Sequence, residues 1–504
     1  MPSAADSSLT EGDLKRPMFR LAWPIIVTEL LQVAYNLADT FWLGRLSTDA
    51  VAALSLAFPI ILLFISLGGG LTVAGSTLVA QYTGAGGERS AGTVAGQTLS
   101  VITLFAIAIG VVGAVLSGPV LGLLPSSPAT DAQVIPMAAD YMRVFFLGLP
   151  FLFGFFVFSA LMRGYGNTRA PMAVVFVSVV INLVVDPAFI FGWGPIPALG
   201  IEGAALATIL SRGVGTLLGF YVIFGTDAGP DVSLADFRPR LDLVTKILRV
   251  GIPSALEQSA NSLGFITLTA MIVTFQPEVV AAFGLGNRLS SLVFLPALGL
   301  GRATNTIVGQ NLGAGEPERA ERAVWLAAGV GSALMVAIGV GAYAFAEPAV
   351  AVFIGTGTDA ADETIRLGAE YLRIRAFEFG FIGILQTMLG AYRGAGNTRT
   401  ALGFSLLALW LGRVPIVYVL ALVVRIGGDG VPGIWIGMAV GQILGAVAAA
   451  AWFTRGTWKE AVIDTGEEGD GDAGGDDRDG DDGTDATGDA DADGTDDGEA
   501  TPTE

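Results

Sequence analysis

Two series of polar residues stand at helical spacing inside apolar stretches of the sequence. The first series consists of Thr28, Gln32, Asn36 and Asp39, with Tyr35 beside it. The second consists of Ser178, Asn182 and Asp186, which are four residues apart. Residues at these spacings share one face of a helix. Each series ends in a carboxylate, a group whose oxygens can carry a proton or ligate a cation.

Composition excludes other kinds of chemistry. The chain has no Cys and no His, so it has no disulfide, no thiolate or imidazole metal ligand and no Cys nucleophile. Any proton chemistry must therefore fall to carboxylates. Hydrophobic residues make up 52% of the chain and charged residues only 14%, and the mean hydropathy is +0.64. These values are typical of a membrane protein and not of a soluble one.

Twelve apolar stretches reach the length of about 20 residues that a membrane-spanning helix needs. They lie near 18–43, 51–82, 91–117, 136–162, 170–192, 200–224, 247–275, 279–310, 323–346, 367–392, 400–424 and 431–454. The predicted fold is an all-α membrane protein with two six-helix lobes. Its predicted parts are an N-terminal segment (1–17), the first lobe (18–225), a linker (226–246), the second lobe (247–456) and a disordered acidic tail (457–504).

A long internal repeat supports the two lobes. Residues 79–91 (VAQYTGAGGERSA) recur as 308–320 (VGQNLGAGEPERA), and 163–169 (RGYGNTR) recur as 393–399 (RGAGNTR). The offsets are 308 − 79 = 229 and 393 − 163 = 230 residues. Duplicated apolar halves are the usual construction of secondary transporters, which place their site between the repeats. The RGxGNTR elements themselves are predicted to be tight turns and not substrate contacts.

Basic residues predict the orientation in the membrane. Most Lys and Arg residues fall in loops on the side of the N-terminus, whereas the loops on the other side hold only Arg45, Arg366 and Arg425. Positive residues concentrate on the cytoplasmic side of membrane proteins. We therefore expect a multi-pass protein of the cell membrane with both termini in the cytoplasm, acting as a monomer without nucleic-acid partners.

Alignment of the two repeats shows that the halves carry their acids at different positions. Asp39 aligns with Leu268 and Asp186 with Ile416, so neither acid has a counterpart in the second half. Two polar stripes cannot both face lipid, and we expect them to converge on a cavity in the first lobe, completed by Thr208. The alternative is that they form hydrogen bonds between helices. Glu257 is the candidate acid of the second lobe, and Pro24 is a candidate hinge in the first helix.

The C-terminal region is strongly acidic and the chain contains few lysines. Asp and Glu outnumber Lys and Arg by 46 to 27, and most of this excess lies after residue 463. Lys15, Lys246 and Lys459 are the only lysines. This composition suggests a halophilic source, although a GC-rich genome would also explain the preference for Arg over Lys.

Several motifs together resemble the multidrug and toxic compound extrusion (MATE) transporters. They are Trp23-Pro24, the run from Leu37 to Thr40 followed by Leu43-Gly44-Arg45, the two RGxGNTR turns, and Asn182 with Asp186-Pro187. The run from Gly251 to Gln258 resembles the DinF-like branch. The resemblance covers about 15–456.

The resemblance implies twelve helices in two lobes around a central cleft. It also implies export of organic cations or amphiphiles, driven by inward H⁺ or Na⁺, without an enzymatic reaction or another cofactor. Carried over by motif, the family's cation site falls on Asp39, Asn182 and Asp186, with Thr208, and the family's seventh-helix acid falls on Glu257. The bending first helix of the family matches Pro24.

Two other functions remain open at this stage. A flippase for lipids or lipid-linked sugars, from the same fold superfamily, would be expected to carry a cationic cavity, whereas the first-lobe residues singled out above are acidic. A membrane-embedded transferase would need paired acids for a metal–diphosphate, and no such motif lies in the apolar body of the chain.

Overall fold

The computed structural model describes residues 9–123, 128–354 and 357–463, and these residues form helices connected by short turns. The first half contains α1 (Lys15–Leu46), α2 (Thr48–Gly84), α3 (Glu88–Leu121), α4 (Pro128–Leu147), α5 (Leu149–Tyr165), α6 (Arg169–Phe191) and α7 (Gly200–Gly225). The second half contains α8 (Leu241–Ile272), α9 (Pro277–Gly313), α10 (Pro317–Ala344), α11 (Ala346–Ala351), α12 (Asp359–Ala376), α13 (Phe379–Gly394), α14 (Thr398–Val423) and α15 (Val431–Phe453).

The described helices can be matched to the twelve predicted spans, eleven of which qualify by length and composition. Nine of the described helices are individually long and apolar enough to cross a bilayer. The pairs α4–α5 and α12–α13 qualify as single spans bent by 53° and 54°. The remaining segment is α8, a 32-residue helix with more polar residues. Both bent spans were expected to be continuous helices. Their breaks lie at Gly148 and at Phe377–Glu378, which are equivalent positions of the repeat.

One helix departs from regular α geometry. Within α14 the chain forms π-helical turns at Leu407–Arg413 and Tyr418–Val423. Such turns are rare and often occur at functional positions. The apolar sequence of this span predicts a helix but carries no sign of the π turns.

Each RGxGNTR element forms a turn, as predicted. The first joins α5 to α6 and the second joins α13 to α14, and Gly166 and Gly396 adopt the left-handed conformation with φ of 100° and 75°. Glycine adopts this conformation without the steric cost that a Cβ atom brings. The Thr168 hydroxyl donates to the Arg20 carbonyl at 3.5 Å. Pro24 has no N–H for that carbonyl, so the turn supplies the donor that α1 lacks.

The two turns also hold the lobes together through four hydrogen bonds, which we call the inter-lobe seam. Gln310 Nε2 donates to the Gly164 carbonyl and Gln81 Nε2 donates to the Gly394 carbonyl, both at 3.0 Å. The other two bonds run from Thr306 to the Arg163 carbonyl and from Thr77 to the Arg393 carbonyl, at 3.0 and 2.9 Å. Each bond has its equivalent under the sequence repeat, so the seam is built with pseudo-twofold symmetry.

Glycines allow α2 and α9 to cross closely beside the seam. A Cβ atom on Gly84 would lie 1.9 Å from the Gln310 carbonyl oxygen, and one on Gly313 would lie 1.9 Å from the Gln81 carbonyl oxygen. These distances are far below van der Waals contact, and the obstructing atoms belong to backbone. Glycine at both positions is therefore necessary for the lobes to meet at this end.

The segments outside the helices also pack against the body. In the linker, Asp236 accepts both 2.8 Å bonds of a two-pronged pair with Arg89. Burial opposes ionisation of Asp236, but hydrogen bonds from Ser233, Thr93 and Arg89 outweigh it and hold the pKa of this carboxyl below its ordinary value. At the other end, Trp458 stacks on Phe453 at 4.4 Å. Residues 457–463 therefore form a packed segment, although the sequence suggested that the tail begins at 457. The rest of that tail lies outside the described residues.

We predict that Gly84→Ala and Gly313→Ala will each open the inter-lobe seam. The added methyl group should force α2 and α9 apart, at a cost of about 1–3 kcal/mol to the closed arrangement. Because the chain has no Cys, spin labels can be placed at Glu88→Cys and Glu318→Cys, two exposed positions near the seam. The distance distribution measured between them should move to longer values. Gly118→Ala is the control, since a Cβ there meets nothing within 4 Å. Distributions identical to that of the control would contradict the prediction.

Candidate functional site

The fold brings the two polar series together. Asp39 of α1 faces Asn182 and Asp186 of α6, and the carboxyl groups of Asp39 and Asp186 interact directly. The Asn182 amide donates to Asp186 Oδ1 at 3.1 Å. Asn182 and Asp186 are fully buried, while Asp39 is half-buried. The predicted convergence of α1 and α6 is therefore present in the structure.

Three oxygen atoms of this group have no hydrogen-bond donor. They are Asp39 Oδ1, Asn182 Oδ1 and Asp186 Oδ2, and all three are shielded from solvent. Buried polar atoms are nearly always satisfied, so a cluster of unsatisfied acceptors needs a physical reason. Facing oxygens of this kind suit a shared proton or a small cation such as Na⁺. The described residues contain no group of three or more His, Cys, Asp or Glu side chains that could hold a metal ion.

Tyr35 and Thr208 extend the group. The Tyr35 hydroxyl donates to the Thr208 hydroxyl at 2.6 Å, and Tyr35 also interacts with Asp39. The hydroxyl of Ser211, one turn further along α7, donates to the Thr208 carbonyl at 2.9 Å. Tyr35 of α1 therefore links Thr208 to Asp39.

The remaining members of the first series have other surroundings. The Thr28 hydroxyl donates to the Pro24 carbonyl at 2.7 Å, which ties it to its own helix. Gln32 Oε1 accepts from an arginine described next, and the Asn36 side chain is exposed. Pro24 lies inside α1, about four turns from Asp39 along the same helix. Of the first series, Asp39 alone contacts the acid of α6, with Tyr35 beside it.

Arg212 of α7 also belongs to this group, although neither polar series predicts it. This side chain is 3% exposed, and its guanidinium group lies between the rings of Tyr35 and Phe155, at 4.5 and 4.7 Å from their centroids. Its Nη2 donates to Gln32 Oε1 at 2.6 Å, while Nε and Nη1 have no acceptor. A charged residue in the middle of an apolar span is itself a signal of function. The same rule that selected the acids would have found it.

Glu257 is paired, unlike the acids of the first lobe. Its two oxygens accept from Arg393 at 2.6 and 3.2 Å, and Oε1 also accepts from Ser405 at 2.6 Å. Arg393 belongs to the second RGxGNTR turn, so this ion pair joins α8 to the turn. The charge of Glu257 therefore has a local partner.

Pairing with an arginine is shared by the buried carboxylates other than Asp186. Four carboxylates are buried in the part of the chain that the structure describes, namely Asp186, Asp236, Glu257 and Glu378. Asp236 pairs with Arg89, Glu257 with Arg393 and Glu378 with Arg375. Among these four, Asp186 has another acid as its neighbour and forms no salt bridge. The Asp39–Asp186 pair is therefore the candidate functional site.

Comparison with known proteins identifies the family. The MatE family model matches residues 24–188 and 253–419, which is well over half of the chain and includes both repeats. The chain belongs to the MATE family. It is therefore a multi-pass membrane transporter and not an enzyme, as the sequence predicted.

Individual relatives agree with this assignment. The "Probable multidrug resistance protein NorM" of Thermotoga maritima is 29% identical over 90% of this chain and 95% of that protein. A solved MATE structure in complex with MaL6 has a TM-score of 0.82 at 26% identity, covering 90% of this chain and 98% of that one. A MATE transporter solved in an outward-facing conformation has a TM-score of 0.80 at 26% identity, with the same coverage. These matches confirm the predicted fold of twelve helices in two lobes.

We predict that the Glu257–Arg393 pair stabilises the fold. Arg393→Gln would leave the fully buried Glu257 carboxylate without its cation, which should cost about 3–5 kcal/mol. Adding Glu257→Gln to that variant removes the unpaired charge and should restore part of the loss. Thermal unfolding in detergent measures the order of stability.

The matched control is Arg366→Gln, because Arg366 pairs with Glu363 where both side chains are largely exposed. Such pairs contribute about 0–1 kcal/mol. Equal unfolding temperatures for Arg393→Gln and Arg366→Gln would contradict a stabilising role for the buried pair.

Proposed function

We propose that this MATE protein is a secondary active efflux antiporter. In this proposal it exports organic cations or amphiphiles in exchange for H⁺ or Na⁺, by alternating access of its two lobes. The observation that carries the proposal is the Asp39–Asp186 pair, whose facing oxygens lack donors and whose charges lack a salt bridge. The name of the Thermotoga maritima relative, a multidrug resistance protein, supports the class of substrate.

The chemistry of exchange follows from the cost of a buried charge. Two carboxylates in apolar surroundings need positive charge nearby, and that charge can come from a coupling ion or from an organic cation. Since both would use the same oxygens, binding of one displaces the other. Displacement at a single site, combined with a site that faces one side at a time, is sufficient for antiport.

The position of the inter-lobe seam suggests which side of the transporter is closed. Its turns lie on the side that the distribution of Lys and Arg places in the cytoplasm. We propose that the protein lies in the cell membrane as a monomer with both termini in the cytoplasm, and that the structure is closed on that side. The four seam hydrogen bonds between the lobes support this state.

The alternatives have less support. A flippase for lipid-linked sugars would be expected to present cations to its cleft. In the described part of the chain, the cation that interacts with Asp39 is Arg212, which is buried between two aromatic rings. The membrane-embedded transferase is overturned by membership of a transporter family. Placement in the DinF-like branch and a halophilic source remain proposals based on the Gly251–Gln258 run and on the acidic, Lys-poor composition.

We predict that Asp39→Asn and Asp186→Asn will each reduce coupled efflux at least about tenfold while the protein still folds. An amide keeps the shape of the carboxyl group but carries no negative charge and cannot take up or release a proton. Efflux of a fluorescent organic cation from cells or proteoliposomes gives the activity, and thermal unfolding in detergent confirms folding. Asp140→Asn is the control, because Asp140 forms an exposed pair with Arg143 on α4. Normal efflux by both site variants would exclude this site.

We predict that protons drive the exchange. Two carboxylates in contact disfavour double ionisation, so the pair readily holds one proton between its members. Substrate counterflow is measured in proteoliposomes with either a pH gradient or a sodium gradient imposed alone. The pH gradient should drive transport, and a protonophore should abolish it. Robust counterflow under sodium alone, unaffected by the protonophore, would assign the coupling to Na⁺ at the same oxygens.

A further inference from the structure

Arg212 is a fixed positive charge built into the candidate site. Its guanidinium lies against the Tyr35 ring, and Tyr35 contacts Asp39, so cation and carboxylate are separated by one aromatic side chain. Arg212 and Asp39 are close enough for their charges to attract one another. An arginine keeps its charge under all physiological conditions. The two acids therefore never act as an isolated pair.

The charge of the site can be counted from the groups that face it. Asp39 and Tyr35 come from α1, Tyr141 from α4, Asp186 from α6 and Arg212 from α7. Tyrosines are neutral near neutral pH. Two ionised carboxylates and one guanidinium leave a net charge of minus one, so one monovalent cation makes the group neutral.

We propose that Arg212 limits the site to one positive charge at a time, so that its organic substrates are monovalent cations and not dications. This inference rests on the proposed antiport at the Asp39–Asp186 pair and specifies its substrate class. A site buried among apolar helices is most stable when its net charge is zero. One proton, one Na⁺ or one organic monocation achieves neutrality, and exchange is then one for one.

The surroundings of Arg212 show how it acts. Gln32 and the two aromatic rings hold its planar group from three sides, and stacking of this kind stabilises a guanidinium away from water. Because Arg212 is buried, it does not contact the substrate directly. Arg212 is thus a residue that sets specificity through its charge, while Asp39 and Asp186 contact the exchanged cation.

The decisive test is rescue by charge balance. Asp39→Asn alone leaves Asp186 and Arg212, a neutral set, and should weaken binding of tetraphenylphosphonium about tenfold or more. Asp39→Asn combined with Arg212→Gln leaves Asp186 alone and restores a net charge of minus one. Isothermal titration of the purified protein in detergent should show that the double variant regains at least about threefold of the affinity that Asp39→Asn alone loses. Arg212→Lys keeps the charge but not the stacking, and it should bind monovalent cations with a stronger preference over dications than Arg212→Gln does.

Specificity gives a second readout with two probes of nearly equal size. The probes are 1-methyl-4-(4-pyridyl)pyridinium, which carries one charge, and methyl viologen, which carries two. The wild type should prefer the first by about tenfold or more, and Arg212→Gln should reduce this preference to about threefold or less. Arg143→Gln, which removes an exposed arginine of α4, should leave the preference unchanged.

The possible outcomes distinguish the role of Arg212 from the proposed antiport. Wild-type binding of monocations without rescue in the double variant, or with an unchanged preference in Arg212→Gln, overturns the role of Arg212 and leaves the antiport proposal standing. Absence of organic-cation binding by the wild type overturns both. If Arg212→Gln does not fold, the double variant and Arg212→Lys still decide, because each preserves a charge balance that the inference requires.

Discussion

A carboxylate buried among apolar helices must have positive charge beside it, and this constraint organises the structure. The second lobe and the linker meet it with fixed partners, since Glu257, Glu378 and Asp236 each pair with an arginine. The first lobe meets it only in part, because Asp39 has the more distant charge of Arg212 nearby, whereas Asp186 has Asp39 and Asn182 as its neighbours and forms no salt bridge. The incomplete pairing in the first lobe is therefore the basis for the proposed cation site there.

The repeated turns connect this site to the lobe interface. Through Thr168, the first turn caps the carbonyl that Pro24 leaves free in α1, and the same turn accepts seam bonds from α9. Asp39 lies further along α1. A change in the bend of α1 would therefore alter the turn and the seam together. The second turn makes a similar contact, because the Thr398 hydroxyl donates to the Val250 carbonyl of α8, one residue past the carbonyl that Pro253 leaves without an N–H donor.

The sequence predicted the fold and most of the candidate site, because both leave regular patterns. Apolar length predicts the spans, the 229–230-residue repeat predicts two lobes, and helical spacing places Asp39, Asn182 and Asp186 on facing surfaces. Features set by tertiary packing were missed. The bends at Gly148 and Phe377 and the π turns of α14 depend on neighbouring helices. The partner of Glu257 lies 136 residues away, a pairing that no local pattern records.

The seam also sets a free-energy cost for separating the two lobes at this end. Each of its four hydrogen bonds contributes about 1 kcal/mol, so breaking these four bonds alone costs about 4 kcal/mol. One monovalent ion moving down a roughly thousandfold concentration gradient releases about the same amount, since each factor of ten is worth about 1.4 kcal/mol. In the proposed antiport, the free energy released by a single coupling ion would therefore offset the loss of these four bonds.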